Sequence, residues 1–260
     1  MDLKLSGKVA LITGGSRGIG LACAKALAAE GVELHLASRT AKDLEAAKAT
    51  LHQSFGAKVT VHPSDGAKPG AMQALADAVP ELDILINNAG AIPVGTIEDI
   101  QEPRWREVWD LKLFGYINLT RAIFTRMKAK KRGVIINVLG TAGERPIAGY
   151  IAGSTANAGL MAFTEALGGA STDYGIRVVG VNPGLIATDR MKDMMSARAQ
   201  KELGDASRWR ELVGDRPFGR PGEPDEVADV VTFLASDRAG YVSGTIVTVD
   251  GGGTTRSKGI

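Results

Sequence analysis

The sequence predicts an α/β protein in which one parallel sheet of about seven strands is covered by helices on both faces. Three observations favour this class: short apolar runs alternate with longer helical segments, 33 of the 260 residues are glycine, and aromatic residues make up only 5%. Continuously apolar strands that are separated by helices are typical of a parallel sheet buried on both sides.

The strands follow one another at regular intervals along the chain. Apolar runs such as V-A-L-I-T, L-D-I-L-I-N and V-I-I-N-V predict strands at 9–13, 33–38, 58–62, 82–87, 134–138, 176–182 and 245–249. The segments between them predict helices at 18–31, 40–54, 68–79, 99–130, 154–174 and 223–236. Because crossovers between parallel strands are right-handed, these elements stack as helix, sheet and helix. No repeat or low-complexity linker interrupts the alternation, so residues 1–260 are predicted to form a single domain.

The charge balance argues against a nucleic-acid partner. The 31 basic and 29 acidic residues are mixed along the chain, the net charge is +2, and no basic arm or basic-aromatic patch stands out. No apolar run approaches the ~18 residues of a membrane span, and the chain enters its first strand directly after M-D-L-K-L-S-G-K. We therefore expect a soluble cytoplasmic protein without a membrane partner.

The chain offers little for disulfide or metal chemistry. The single cysteine, Cys23, has no internal disulfide partner and lies in an alanine-rich segment, so it is interpreted as a small buried residue. His35, His52 and His62 are scattered over strand and helix positions without the spacing of metal ligands, so no metal site is predicted.

The segment 190–222 is the least regular part of the predicted fold. It carries Met191, Met194, Met195 and Trp209, followed by R-P-F-G-R-P-G-E-P. Because ligands of open α/β sheets bind beyond the carboxyl ends of the strands, this segment is interpreted as a substrate lid whose methionines line a pocket. The alternative is that the methionines are ordinary core filler.

Four motifs mark the carboxyl ends of predicted strands. The first strand runs into T-G-G-S-R-G-I-G at 13–20, while N-N-A-G at 87–90, N-P-G-L-I-A-T at 182–188 and D-G-G at 250–252 follow later strands. A glycine-rich turn that opens a helix allows close backbone approach to a pyrophosphate, which the free N–H groups of the helix bind. In this order and spacing, the motifs resemble those of the short-chain dehydrogenase/reductase family over essentially the whole chain.

The resemblance implies a Rossmann-type, doubly wound oxidoreductase that binds a nicotinamide dinucleotide and an unknown small-molecule substrate. The residues implied to cradle the phosphates and ribose are Gly14, Ser16, Arg17, Gly18, Ile19 and Gly20. Asp65 would face the adenine amine, and Asn88 would line the cofactor channel. Ile186 and Thr188 would meet the nicotinamide carboxamide.

The resemblance also implies an assembly. The helix predicted at 99–130 and the helix that begins at 154 resemble the pair that builds the family's four-helix dimer interface. A homo-oligomer, a tetramer by the family's pattern, is therefore expected.

The end of the second strand indicates which dinucleotide is bound. A carboxylate at this place would bind the ribose hydroxyls and repel a 2′-phosphate, but the chain has Ser38 there, followed by Arg39. Together with Arg17, two guanidinium groups without a competing acid suit a 2′-phosphate. NADP(H) is therefore predicted over NAD(H), the alternative being that Arg39 only caps the sheet edge.

The catalytic positions depart from the family's pattern. In the family a Tyr exchanges the substrate proton, a Lys four residues later lowers its pKa and holds the nicotinamide ribose, a Ser orients the carbonyl, and an Asn positions a water. The places of Asn, Ser, Tyr and Lys are held here by Lys112, Gly140, Gly153 and Asn157. No register shift restores the pattern, because Ser154 and not Lys follows four residues after Tyr150.

Three functions are compatible with these substitutions. Because general acid–base catalysis contributes ~10²–10⁴-fold, ordinary carbonyl reduction is predicted to be very slow. In the first hypothesis catalysis is relocated, with Lys112 acting on Tyr150, on Ser154 or Thr155, or directly on substrate. The second is a catalytically silent dinucleotide-binding protein or sensor, with Asn157 in the ribose-facing place. The third is a non-redox enzyme, such as a lyase or hydratase, on the same fold.

Overall fold

The computed structural model describes residues 1–256 of the chain. Within this range lies a seven-stranded parallel sheet with the strand order β3-β2-β1-β4-β5-β6-β7. The strands are β1 (Val9–Thr13), β2 (Glu33–Ser38), β3 (Val59–Pro63), β4 (Ile84–Asn87), β5 (Gly133–Val138), β6 (Ile176–Pro183) and β7 (Thr245–Val249). The predicted fold class and strands are confirmed. The predicted domain extends to residue 260, and residues 257–260 lie outside the described part.

Helices cover both faces of this sheet. They are α1 (Gly18–Ala29), α2 (Ala41–Phe55), α3 (Ala71–Asp77), α4 (Glu102–Trp109), α5 (Gly115–Lys130), α6 (Ile151–Ser171), α7 (Asp189–Leu203) and α8 (Pro224–Ala235). Side chains of α1, α2 and α8 pack with Ile12, Leu36 and Ile86 on one face. Side chains of α3 and α5 pack with Leu11 and Leu85 on the other. None of the helices in the described part is long and apolar enough to span a membrane.

The predicted helix 99–130 is interrupted in the structure. It begins at Glu102, with Pro103 in the first turn, where a missing N–H costs nothing. Residues Asp110–Phe114 then form a π-helical turn between α4 and α5. Such turns are frequent at functional sites, and the one buried side chain of this turn is Lys112. The prediction of one continuous helix is wrong here, because a single wide turn spans too few residues to interrupt the apolar pattern visibly.

The segment 190–222 is more regular than predicted. It opens with α7, where the Thr188 hydroxyl accepts a hydrogen bond from the Met191 N–H at 3.3 Å, and a 3₁₀ segment follows at Ala206–Val213. Met191 and Met195 are buried together against this segment. The core-filler alternative therefore holds for these two methionines, because the helical segments bury one face against each other.

The carboxyl ends of the strands meet at one edge of the sheet. β1 pairs with β2 on one side and with β4 on the other, so the strand order reverses at β1. The register places Thr13 beside Ala37 of β2 and Ile12 beside Ile86 of β4. Ligands of open α/β sheets bind in the crevice outside such a reversal point. The loops that carry the sequence motifs all leave the sheet at this edge.

Candidate active site

The glycine turn after β1 is held against the loop after β4. The Asn88 side chain donates hydrogen bonds to the carbonyls of Thr13 at 3.0 Å and of Gly14 at 3.3 Å. A Cβ on Gly20 would stand 2.2 Å from the Gly14 carbonyl oxygen, and Gly14 itself has a φ of +66°. Only glycine fits both positions, because any side chain would force the two ends of the turn apart.

The start of α1 is suited to an anion. Arg17 occupies the N-cap position without a side-chain capping bond, and the first turn contains no acidic residue. Helix N-termini offer unpaired N–H groups and a positive dipole end to phosphates. A Cβ on Gly18 would lie 3.1 Å from the Thr188 methyl group, so the loop after β6 comes close to the glycine turn. The residues present fit the pyrophosphate of a dinucleotide.

The end of β2 differs from the sequence-based expectation in one respect. Ser16 and Ser38 are joined by a hydrogen bond of 3.1 Å between their hydroxyl groups. The Arg17 guanidinium forms an ion pair with the carboxylate of Asp43 in the first turn of α2. The premise that no acid competes for these guanidiniums is therefore wrong. Sequence periodicity does not reveal this pair, because Arg17 and Asp43 are 26 positions apart and meet only in the folded structure.

The remaining residues implied for the cofactor lie along the same edge. Asp65 follows β3 and accepts a hydrogen bond from the Ala67 N–H at 3.3 Å. Ile186 is buried in the loop after β6, where the following Ala187 N–H donates to the Gly222 carbonyl at 2.7 Å. Ile19 begins α1 and packs partly buried against the main core. Arg39 is exposed beside the end of β2.

Lys112 is buried beneath the end of β5. Its ammonium nitrogen Nζ donates to the Val138 carbonyl at 2.8 Å, to the Leu139 carbonyl at 3.4 Å and to the Tyr116 hydroxyl at 3.1 Å. The Tyr116 hydroxyl in turn donates to the Val138 carbonyl at 3.0 Å. These contacts anchor Lys112 to the strand end that precedes Gly140.

The surroundings of Lys112 change its acidity. Burial, assisted by the positive charge of Arg190, lowers the pKa of the Lys112 amine from 10.5 to about 7. Burial also raises the pKa of the Tyr116 hydroxyl well above 10. At neutral pH the Lys112 amine is therefore only partly protonated, whereas the Tyr116 hydroxyl stays protonated.

Gly140 and Asn157 face each other at the end of β5. A Cβ on Gly140 would lie 3.0 Å from the Asn157 side-chain nitrogen Nδ2. The Asn157 side chain is 3% exposed, and among residues 1–256 its oxygen Oδ1 has no hydrogen-bond donor. A buried acceptor without a partner costs roughly 1–3 kcal/mol. This oxygen is therefore poised to accept a bond from a ligand.

Tyr150 fills the space beside Gly153. Tyr150 is the N-cap of α6, and its ring carbons Cε1 and Cζ would stand only 2.0 Å and 2.2 Å from a Cβ on Gly153. Burial raises the pKa of the Tyr150 hydroxyl, and the nearby charge of Arg190 lowers it in part. The phenol thus enters the room that a side chain of Gly153 would otherwise take.

The two other hydroxyl candidates are engaged in local backbone bonds. Ser154 Oγ accepts from the Ile147 N–H at 3.0 Å, and Thr155 Oγ1 donates to the Ile151 carbonyl at 3.0 Å on the exposed side of α6. The Tyr150 hydroxyl, in contrast, lies within the influence of the Arg190 charge.

Arg190 is a site residue that sequence reasoning missed. Its guanidinium donates to the Gly90 carbonyl at 3.3 Å and to the Ile92 carbonyl at 2.5 Å, which joins the start of α7 to the loop after β4. Its charge influences the pKa values of both Lys112 and Tyr150. The available signal was its place two residues after the P-G-L-I-A-T motif, but the sequence did not show which side of the cleft it would contact.

Two of the three histidines lie beside each other on neighbouring strands. The ring nitrogens Nδ1 of His35 on β2 and Nε2 of His62 on β3 lie 2.8 Å apart, and the rings stack. Burial lowers the pKa values of both, so both are neutral at pH 7. Among residues 1–256, no three His, Cys, Asp or Glu side chains form a group that could hold a metal ion. Cys23 is buried, which raises its thiol pKa to about 12.

A cavity of about 380 Å³ opens near Gly140, between the loops that follow β5, β6 and β7 and the segment after α7. Its lining includes Thr141, which directly follows Gly140, and Ile186 from the loop after β6. Of the predicted lid, the part from Arg216 to Gly222 lines the cavity.

Comparisons with known proteins agree with this fold. A family profile described as short chain dehydrogenase matches residues 8–199. Acetoacetyl-CoA reductase of Rhizobium meliloti (strain 1021) is 36% identical over 247 residues, which cover 94% of this chain and 98% of that protein. The structure of L-sorbose reductase from Gluconobacter frateurii with NADPH and L-sorbose superposes with a TM-score of 0.93 at 32% identity, covering 99% of this chain and 100% of that one. NAD⁺-bound xylitol dehydrogenase gives a TM-score of 0.88 at 26% identity, covering 96% and 100%.

Proposed function

The chain belongs to the short-chain dehydrogenase family, and from this membership we propose that it is an NADP(H)-dependent oxidoreductase whose proton-transfer group is Tyr150. Membership of the family by itself indicates an oxidoreductase that uses a nicotinamide dinucleotide. Our proposal adds which residues perform the chemistry in place of the family's Asn, Ser, Tyr and Lys.

One observation carries the proposal. The resemblance assigns the proton-transferring Tyr to the position of Gly153, and the Tyr150 ring stands 2.0 Å from where that residue's Cβ would be. The phenol is therefore delivered to the same space from one turn upstream. The Tyr150 ring lies where the Cβ of a tyrosine at position 153 would be. Its hydroxyl therefore extends less far from α6 than the hydroxyl of such a tyrosine, and the substrate carbonyl has to approach α6 more closely. The missing side chain at Gly140 leaves room for that approach.

The surrounding charges support proton transfer. When bound, the reduced dinucleotide supplies a hydride to the carbonyl carbon. The Tyr150 hydroxyl gives its proton to the carbonyl oxygen, and the Arg190 charge stabilises the phenolate that remains. Lys112, with a pKa of about 7, serves as the nearby proton reservoir. In the oxidative direction the same groups take the proton from an alcohol.

The dinucleotide is held by the groups described above. The glycine turn and the start of α1 bind the pyrophosphate, and Ser16 and Ser38 lie beside the adenosine ribose. We assign Arg17 and Arg39 to the 2′-phosphate of NADP(H), for which the Asp43 carboxylate is a competing partner of Arg17. The unpaired oxygen of Asn157 accepts a hydrogen bond from the nicotinamide ribose. We also propose that residues 190–222 act as the substrate lid and that α5 and α6 pair in a homotetramer.

A catalytically silent dinucleotide-binding protein is the second candidate. It is favoured by the absence of a side chain at both Gly140 and Gly153. This candidate predicts tight dinucleotide binding without turnover, whereas a non-redox enzyme would bind neither dinucleotide.

Thermal unfolding with NADPH, NADH, NADP⁺ and NAD⁺ added separately tests the cofactor. A ligand at 100 times its Kd stabilises by about 2.7 kcal/mol, and we expect this shift for the phosphorylated forms. NADPH oxidation is then followed with a panel of carbonyl compounds. We expect Tyr150→Phe to lose at least roughly 10²-fold in kcat and the exposed Tyr241→Phe to retain activity. Equal turnover in wild type and Tyr150→Phe would refute Tyr150 as the proton-transfer group.

A further inference from the structure

The cavity of about 380 Å³ near Gly140 has a defined shape. Its rear wall comes from the loops after β5 and β6, and its front comes from the segment Arg216–Gly222 and the turn after β7. The front is in place because Gly251 has no side chain: a Cβ there would stand 2.9 Å from Pro217 and 3.2 Å from the Phe218 ring. The segment therefore rests directly on the backbone of the β7 turn.

Phe218 is held in an unfavourable conformation at the mouth of the cavity. Its φ of +57° is rare for a residue with a bulky side chain, and its ring is 85% exposed. Backbone strain of this kind is concentrated at ligand-binding and catalytic sites, where the surrounding structure maintains it. The ring adds to a partly apolar lining that also contains Leu185 and the exposed Ile147.

Three guanidinium groups line the same cavity. Arg220 is neutralised by a two-point ion pair with Glu226, at 2.8 Å and 2.7 Å. Among the described residues 1–256, Arg145 makes only a long bond of 3.4 Å to the Thr254 carbonyl, and Arg216 lies 4.0 Å from the Asp215 carboxylate. Arg145 and Arg216 therefore keep most of their hydrogen-bonding capacity.

Among the described residues, the other acid on the lining is Asp250, which forms no ion pair with Arg145 or Arg216. The Asp250 carboxylate is engaged by its own turn, accepting from the Gly252 N–H at 2.8 Å and the Thr254 N–H at 2.6 Å. An apolar wall beside two such guanidiniums matches a small molecule with a hydrocarbon part and an oxyanion.

We infer that this cavity is the substrate pocket and that it takes an oxo acid, with the carboxylate on Arg145 and Arg216 and the hydrocarbon against Ile147, Leu185 and Phe218. This inference rests on the proposed function, because it places the carbonyl toward Tyr150. The Thr141 and Ile186 side of the cavity is the side on which the carbonyl would enter.

Matched pairs of oxo acids and their methyl esters test the inference. The acids run from three to six carbons, such as 4-oxopentanoate, and each methyl ester, such as methyl 4-oxopentanoate, removes the negative charge and adds one methyl group. Binding to the full chain is measured by calorimetry, alone and with NADP⁺, and turnover is followed separately by NADPH oxidation. We expect at least one acid to bind roughly tenfold or more tightly than its ester.

Variants link this preference to the two arginines. Arg145→Gln/Arg216→Gln is expected to bind acid and ester equally. Arg208→Gln is the matched control, because it removes a charge of the same segment that is paired with Glu211 outside the cavity. Retained acid preference in the double variant, or equal binding of acids and esters by wild type, would overturn the inference, as would no acid binding at all.

The two proposals fail in different ways. Selective acid binding without NADPH oxidation would keep the pocket assignment and refute the redox function. NADPH oxidation with esters as effective as acids would keep the redox function and refute the anionic substrate.

Discussion

The ring of Tyr150 occupies the space into which a side chain of Gly153 would extend, with its Cε1 atom 2.0 Å from the position of a Cβ on Gly153. Tyr150 is the N-cap of α6 and Gly153 lies in its first turn, so the two are coupled: the glycine permits the phenol to turn inward. The absence of one side chain and the placement of the other are two aspects of one arrangement.

This coupling predicts an unusual effect of Gly153→Ala. An alanine normally stabilises a helix by about 0.8–1.0 kcal/mol over glycine, but here its methyl group would displace the Tyr150 ring. We expect Gly153→Ala to lower the melting temperature and to reduce turnover. Gly169→Ala in the same helix, where nothing lies within 4 Å of the added Cβ, is expected to be neutral or stabilising.

A double-mutant cycle separates this clash from other causes. In a Tyr150→Ala background, Gly153→Ala should no longer destabilise, because the ring is gone. A penalty of the same size in both backgrounds would show that the two residues are independent.

The buried amine of Lys112 predicts a pH dependence of stability. Its pKa is lowered from 10.5 to about 7 by burial. Between these two pH values the unfolded chain holds a proton that the folded chain has released, so the free energy of unfolding rises with pH in this window. Below pH 7 both states are protonated and the cost of burying the ammonium is present in full, at most about 5 kcal/mol.

Urea unfolding of wild type and Lys112→Met between pH 6 and pH 9 measures this contribution of Lys112 to stability. We expect the free energy of unfolding of wild type to rise, relative to that of Lys112→Met, by up to about 1.4 kcal/mol per pH unit above pH 7. The Tyr116 hydroxyl still donates to the Val138 carbonyl in the variant, so that acceptor is not left unpaired. A difference that stays constant from pH 6 to pH 9 would contradict the lowered pKa.

The charge of Arg190 predicts how the pKa values of Lys112 and Tyr150 change when that charge is removed. Its charge lowers the pKa values of both Lys112 and Tyr150. Arg190→Gln removes the charge but keeps a donor, so both pKa values should rise and the activity profile should move to higher pH. ¹³C NMR titration of the Lys112 side chain reads the same effect without turnover. Arg190→Lys should leave the titration near that of wild type, and an unchanged titration in Arg190→Gln would exclude this coupling.

The residues around the end of β2 predict how the protein discriminates between NADPH and NADH. Arg39→Ala should weaken NADPH binding roughly tenfold while leaving NADH binding unchanged, because only the 2′-phosphate is contacted. Asp43→Ala should strengthen NADPH binding, because it removes a negative charge beside the phosphate and releases Arg17 from its ion pair. Fluorescence titration of NADPH and NADH measures both variants. Weaker NADPH binding by Asp43→Ala would show instead that the carboxylate orients Arg17.

Much of the fold could be predicted from the sequence, because its signals are local. Continuous apolar runs place the strands near their observed bounds, and the glycine turn at 13–20 marks the reversal point of the sheet. The gathering of the motif residues at one edge follows from parallel strands, whose carboxyl ends point the same way. The family resemblance further indicated the catalytic positions, two of which are held by Gly140 and Gly153.

The tertiary structure alone decided how the site is filled. The ion pair of Arg17 with Asp43, the reach of Arg190 to Gly90 and the inward turn of Tyr150 each join residues whose contact depends on loop and helix directions. Sequence period reports which face of an element is buried, but it carries no information on the angles at which elements leave the sheet. For that reason the sequence determined the sheet, the cofactor edge and the missing side chains, and only the packing of α2, α6 and α7 against that edge determined which groups replace them.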